Sequence, residues 1–191
     1  MTLPIIYFGV AIVLKSVIVA KRIGKNPFVL TKDDNIYGLV GFYFKLVLTA
    51  IFVYVVVYAV FPTLRDTFLP IRCLDSPTIN YIGLSFLVIS LVWTVIAQTQ
   101  MKNSWRIGID TDTKTELITN GLFSISRNPI FFGMIVTLLG AFLATPNALT
   151  VLFLILGYIL IQIQIRLEEE FLTKEHGQEY LKYKQKVRRL I

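Results

Sequence analysis

Two polar clusters flank a long uncharged, mostly apolar stretch at residues 130 to 165: Arg127-Asn128-Pro129 before it and Arg166-Leu167-Glu168-Glu169-Glu170 after it. An arginine can grip a carboxylate through its planar fork, and neighbouring glutamates can accept from an ammonium or from hydroxyls, so the two clusters together suit a small zwitterionic or polyhydroxylated ligand. They can act together only if the chain brings them to one place. A membrane-spanning helix needs about 20 apolar residues, and the run from 130 to 165 is too long for one span. Thr145-Pro146-Asn147 divides it. Proline suits the first turn of a helix and disrupts an interior, so Thr145 as N-cap with Pro146 behind it is expected to start a second arm that runs back. Such a hairpin returns both clusters to one mouth, where cations and carboxylates share a partly dry pocket.

The elements that position this mouth follow from composition. With 55% hydrophobic residues, 16% charged residues and a mean hydropathy of +0.67, the 191-residue chain is more apolar than a soluble domain can bury. The expected fold class is all-α, a polytopic membrane protein in a single domain over residues 1–191. Its five transmembrane helices fall at about 3–20, 38–61, 79–101, 130–145 and 146–165, with the last two as the hairpin. Lipid demands helices because no water satisfies an open backbone, and the alternating short segments of a barrel are absent. The first run lacks a basic leader and is read as a permanent span.

Lys and Arg cluster after the first span (Lys21, Arg22, Lys25, Lys32), after the third (Lys102, Arg106, Lys114, Arg127) and in the tail, with only Arg65 and Arg72 between spans two and three. The positive-inside rule places the N-terminus outside and the 102–128 connection and the tail in the cytosol. Short loops favour a prokaryotic cell membrane over the endoplasmic reticulum. The net charge of +7 then matches anionic lipid and implies no nucleic acid. Cys73 and His176 are each the only residue of their type, so no disulfide, Cys/His metal site or metal chemistry is expected. Lys15 and Lys45 are expected to snorkel to the headgroups.

Between Ser104–Asp110 and the hairpin, Asn120-Gly121 within Leu117–Phe123 is a tight-turn signal between apolar, β-branched runs, which predicts a short β-ribbon at the membrane surface under the hairpin mouth. Past the hairpin, the fifth span continues to a helix stop at Gly177. A second, amphipathic helix starting at Gln178 then forms a cytosolic lid, with Tyr180, Leu181 and Val187 available to pack.

The series Leu117-x-Thr119-x-Gly121-x-Phe123-x-x-x-Arg127-x-Pro129, Ile130-Phe131-Phe132-Gly133, Arg166-x-Glu168-Glu169 and Gly177-x-Glu179-Tyr180-x-x-Tyr183-x-x-x-Val187 resembles the isoprenylcysteine carboxyl methyltransferase and phospholipid methyltransferase family. The likeness covers the C-terminal half. It implies a membrane enzyme using S-adenosylmethionine, held in a region of about 102–191 without a Rossmann domain. Carried over position by position, the cofactor-binding set is Arg127, Asn128, Pro129, Phe131, Gly133, Glu168, Glu169 and Tyr180, with Arg127 and Arg166 as candidate catalytic residues. Asn128 stands where the family has histidine; an amide donates and accepts but carries no proton at neutral pH.

Methyl transfer to a carboxylate needs no general base, since the nucleophile is already ionised, which suits a site without His or Cys. The expected partner is a lipid-bearing acceptor: a prenylated cysteine carboxylate, or alternatively a phospholipid amine. Two other classes remain, an NADPH-dependent sterol or isoprenoid reductase and a non-enzymatic lipid-binding protein. Each residue also has a plain structural role available. Arg127 and Arg166 can anchor helix ends, the glutamates can form a solvated face pairing with Lys174, Gly133 and Gly140 can serve packing, and Tyr180 and Tyr183 can dock the tail.

Overall fold

The computed structural model describes residues 36–101 and 116–191. The first expected span, the basic connection after it and the Ser104–Asp110 segment lie outside these residues. Among the described residues the architecture is all helical, and the only pairings of β type are two isolated bridges. We number the helices α1 (Ile36–Val60), α2 (Pro77–Gln100), α3 (Pro129–Ala144), α4 (Ala148–His176) and α5 (Gln178–Lys186). Three of them, α1, α2 and α4, are long and apolar enough to cross a membrane. Their outer faces carry large bare side chains such as Phe42, Phe52, Ile89 and Ile155. Water would penalise that surface and lipid does not.

Local sequence explains where the helices begin and end. Ser76 caps α2 by accepting from the Ile79 amide at 3.4 Å, with Pro77 in the first turn. The turn between α3 and α4 differs from the expected one. Thr145 closes α3, and Asn147 caps α4. The Asn147 carboxamide oxygen accepts from the amides of Leu149 and Thr150, both at 3.1 Å, while Thr150 Oγ1 accepts from the Asn147 amide at 3.1 Å. This reciprocal box outcompetes the weaker cap of Thr145 because it satisfies more of the orphaned amides at once.

The same turn is tied to the rest of the molecule. Asn147 Nδ2 donates to the Tyr54 hydroxyl of α1 at 2.7 Å, and that hydroxyl donates to Thr145 Oγ1 at 3.0 Å. From the α1–α2 connection, the Ile71 amide donates to the Pro146 carbonyl at 2.9 Å. The turn thus lies at the far end of the molecule from residues 127 and 169.

The tightest pairing is α2 with α3. Gly83 and Gly140 face each other with backbone almost in contact, and Ser90 and Thr137 join the pair through a 3.0 Å hydrogen bond between hydroxyls. Close approach of this kind is how helices associate where no hydrophobic force separates protein from solvent. Helix α4 has 29 residues, a length of about 43 Å, against a hydrocarbon thickness of about 30 Å. Its uncharged part ends at Ile165, and the polar part from Arg166 onward projects beyond. Gly177 ends it as expected, with φ +53°, a conformation that disfavours any side chain. Helix α5 then folds back.

Gly83→Ala is expected to destabilise the helix bundle by about 1–3 kcal/mol or more, because a methyl there meets the backbone of Leu143 and Ala144, which cannot move aside. Gly157→Ala meets only the Leu138 side chain, which can change rotamer, and should cost well under about 1 kcal/mol. Thermal unfolding of the two variants in detergent checks the difference; equal losses would remove the backbone contact as the determinant.

Candidate functional site

Arg127 and Glu169, forty-two residues apart, meet at the open end of the hairpin. The meeting is forced by length: α3 and α4 turn at 145–147, so the residue before α3 lies level with a position about five turns along α4. Arg127 Nε and Nη2 donate to Glu169 Oε1 at 3.1 and 2.9 Å. Asn128 Nδ2 donates to the same oxygen at 3.2 Å. Arg189, from the chain end, donates through Nε and Nη2 to Oε2 at 3.1 and 2.9 Å. The Glu169 carboxylate therefore receives five hydrogen bonds, and its side chain is only 3% exposed.

The same residues clasp the segment that follows α5. Arg127 Nη1 donates to the carbonyls of Lys184 and Val187 at 2.7 and 2.9 Å. The Arg127 amide donates to the Arg188 carbonyl at 2.9 Å, and Asn128 Nδ2 to the Arg189 carbonyl at 3.0 Å. Ser126 and Arg188 form a parallel bridge. Ser126, itself fully buried, accepts the Asn128 amide on Oγ at 3.1 Å. Asn128 thus uses its two amide protons on two acceptors, which a neutral imidazole with a single N–H cannot match.

Helix α5 seals the inner side. Tyr180 is buried, and the Tyr183 hydroxyl donates to the Phe123 carbonyl at 2.6 Å. Burial pushes the Tyr183 hydroxyl up to about 12, and burial together with the negative charge of Glu169 pushes Tyr180 higher still. Both rings are neutral at any physiological pH. Asn120-Gly121 does not open the expected ribbon: Gly121–Ser124 is a single 3-10 turn. Gly121, at φ +61°, leaves room for the Gln100 side chain, whose Oε1 accepts the Leu122 amide at 2.8 Å. The end of α2 holds this segment where the turn of a ribbon was expected.

The two central glutamates have opposite electrostatics. For Glu169, burial pushes the carboxyl up, but the hydrogen bonds from Arg189 and Arg127 outweigh it and hold the group below the ordinary carboxylate range. Glu168 is half-buried and has no hydrogen bond with any described residue. Desolvation, and secondly the charge of Glu169, raise it to about 7.

The structure therefore brings together Arg127, Asn128, Glu169 and Tyr180, with Glu168 beside them. Pro129 opens α3, and its carbonyl accepts from Trp93 Nε1 of α2 at 2.8 Å. Phe131 is half-buried in the first turn of α3. Gly133 is packed against Thr94 and Trp93 of α2, where a side chain would clash. Arg166 is not brought to this cluster. It is exposed and bonds back to Gln162, through the carbonyl at 2.8 Å and the side chain at 3.2 Å. One helical turn separates it from Glu169, about 60° round the helix, and the guanidinium is turned back along α4 to Gln162 instead of on to Glu169. Glu170 is exposed and pairs with Lys174 at 2.7 Å. Sequence reasoning passed over Arg189, Ser126 and Gln100. Arg189 read as one more basic tail residue, and nothing in its neighbours singles it out.

Residues 78–179 match the protein family described as phospholipid methyltransferase. Proteins described as probable protein-S-isoprenylcysteine O-methyltransferases of Oryza sativa subsp. indica and subsp. japonica are each 30% identical over 112 residues, 57% of this chain. The chain spans only 59% of the length of these relatives. No solved structure matches. The family match includes Arg127, Asn128 and the glutamates but ends before Tyr180 and the strap at 187–189.

Substitution should separate the two glutamates. Glu169→Gln leaves the buried Arg127 without its counter-charge and is expected to destabilise by about 3–5 kcal/mol, the loss typical of a broken buried pair. Glu168→Gln should be neutral or stabilising above pH 7. A carboxyl whose folded value is raised binds its proton more tightly folded than unfolded, so its charge opposes folding as pH climbs from about 4.5 through about 7. Thermal unfolding from pH 5 to 8 should lose on the order of 1–3 kcal/mol of that downward slope in Glu168→Gln. An unchanged slope would mean that Glu168 titrates as an open surface acid.

Proposed function

The chain belongs to the phospholipid methyltransferase family, and on that premise we propose that it transfers a methyl group from S-adenosylmethionine to a lipid-bearing acceptor, the C-terminal carboxylate of an isoprenylated cysteine. The observation that carries this reading is the half-buried Glu168 carboxylate, which lies beside a fully satisfied network and has no hydrogen bond with the described residues. A free carboxylate in a dry setting is suited to the ammonium of the cofactor's amino-acid part. Tyr180 is buried and close enough to feel the charge of Glu168. Arg127 serves differently from a ligand grip: Nη1 is spent on two carbonyls, and Nε and Nη2 on Glu169. It builds the wall of the site.

When bound, the cofactor supplies an electrophilic methyl on a sulfonium. With the cofactor held beside Glu168, an acceptor carboxylate, which is ionised at neutral pH, would need no general base to take that methyl. The chain's own residues then need to orient, desolvate and exclude water, and none has to take a proton. The similarity to rice proteins named as isoprenylcysteine O-methyltransferases supports this acceptor class. The apolar α1, α2 and α4 make the chain a membrane protein, which suits an acceptor that arrives from lipid. We place the mouth on the cytosolic side, following the lysine and arginine asymmetry.

The family description favours a second reading, methylation of a phospholipid amine. That reaction begins from an ammonium and requires a proton acceptor, a role open to a Glu168 raised to about 7. Methyl transfer to an S-prenylated cysteine with a free carboxylate, to its amide, and to phosphatidylethanolamine separates the two; activity on the lipid alone would replace the first reading with the second.

Glu168→Gln is expected to weaken binding of S-adenosylhomocysteine roughly ten- to a hundredfold, the loss of one charge-assisted hydrogen bond in a partly buried site. Calorimetric titration in detergent measures it. Parent-like affinity would remove Glu168 from the cofactor site, and absence of saturable binding by the folded parent would sink the methyltransferase reading.

A further inference from the structure

Arg127 and Arg189 both pair with Glu169, but their situations differ. Arg127 is buried, 7% exposed, and also holds the carbonyls of Lys184 in the last turn of α5 and of Val187 in the strap. Arg189 is 39% exposed, and its guanidinium bonds only to Glu169 Oε2 among the described residues. Without Arg189, Glu169 would keep Arg127 and Asn128 on its other oxygen, and the wall would stand. The strap would lose its outermost side-chain attachment. Its remaining contacts at 187–189 are backbone carbonyls accepting from Arg127 and Asn128, bonds that water can replace one at a time.

We infer that Arg189 is a positioning residue: acting through Glu169, its guanidinium keeps the strap Val187–Arg189 closed against the base of α3 and so slows release of the ligand held beside Glu168. The inference rests on the proposed cofactor site and reaches beyond the residues matched by the family, which end at 179. A partly exposed ion pair suits such a clasp. Water and salt screen it, so it opens far more readily than the buried Arg127 pair. The fork geometry matters as well, because Nε and Nη2 reach one oxygen together, which a lysine ammonium cannot reproduce.

The test compares the full chain with Arg189→Gln and Arg189→Lys, in detergent or nanodiscs, by amide hydrogen exchange and by the dissociation rate of S-adenosylhomocysteine. The Arg127 amide reports the strap directly, since it donates to the Arg188 carbonyl. In Arg189→Gln that amide should exchange about tenfold faster and the ligand should leave about tenfold faster, with amides in the α2–α3 pair unchanged. Arg189→Lys should recover part of both changes, and it carries the comparison if the glutamine variant does not fold. Unchanged exchange at Arg127 would reduce Arg189 to a surface ion pair and overturn the inference. Faster exchange with unchanged ligand release would also overturn it, since the strap would then open without consequence for the site. If the parent binds no S-adenosylhomocysteine, the proposed function fails, while exchange at Arg127 still decides whether Arg189 closes the strap.

Discussion

A carboxylate taken out of water must be compensated, and the open end of this molecule is arranged around that requirement at Glu169. An isolated buried charge costs far more than a small protein's net stability, so Glu169 is tolerable only with its counter-charges in place. Its partners come from two separate parts of the chain, the residues before α3 and the end beyond α5, and meet on a carboxylate carried by α4. Satisfying one carboxylate therefore joins three pieces of chain remote in sequence. Arg127 and Asn128 extend the effect by spending their other protons on strap carbonyls, so compensation of the charge also docks the tail.

This polar assembly needs a rigid base. Gly83 and Gly140 let α2 and α3 approach until backbones touch, and Trp93 and Gln100 on α2 fix the start of α3 and the turn before it. At the other end the Asn147 cap, Tyr54 and the α1–α2 connection hold the hairpin turn. With both ends of α3 pinned, rotation of the α3–α4 pair that would pull Arg127 away from Glu169 is opposed at each end. The apolar outer faces of α1, α2 and α4 take no part and are left to lipid.

The glutamate pair shows how adjacent residues acquire different uses. Consecutive positions on a helix point about 100° apart, so Glu169 faces the arginines while Glu168 points to one side of them, near enough to Tyr180 for its charge to act there. One is ionised and saturated; the other is raised to about 7 and has no hydrogen bond with the described residues. In the proposed function this divides the labour between a residue that builds the site and one that meets the ligand. Asn128 belongs with the builders, which accounts for an amide at a position where resemblance leads one to expect an imidazole: the work there is donating two hydrogen bonds.

Sequence alone determined the class and the main elements. Apolar length dictated helices, and α1, α2, α3 and α4 begin within a few residues of the expected spans, with α1, α2 and α4 long and apolar enough to cross a membrane and α3 a shorter apolar helix. Proline at 146 and glycine at 177 marked a turn and a stop because their backbone preferences are intrinsic. The hairpin put Arg127 near the glutamates by length alone. Local pattern misjudged the cap, where Asn147 prevailed over Thr145 through its reciprocal bonds to Thr150 and its contact with Tyr54. It also misjudged Gly121, whose positive φ admits Gln100 and serves no hairpin. Only tertiary structure decided that Gly133 packs on Thr94, that Arg166 turns back to Gln162, and that Arg189 reaches Glu169. Which face of a helix meets a neighbour, and which of many cations finds a buried carboxylate, depends on distances between residues remote in sequence, and periodicity carries no record of those distances.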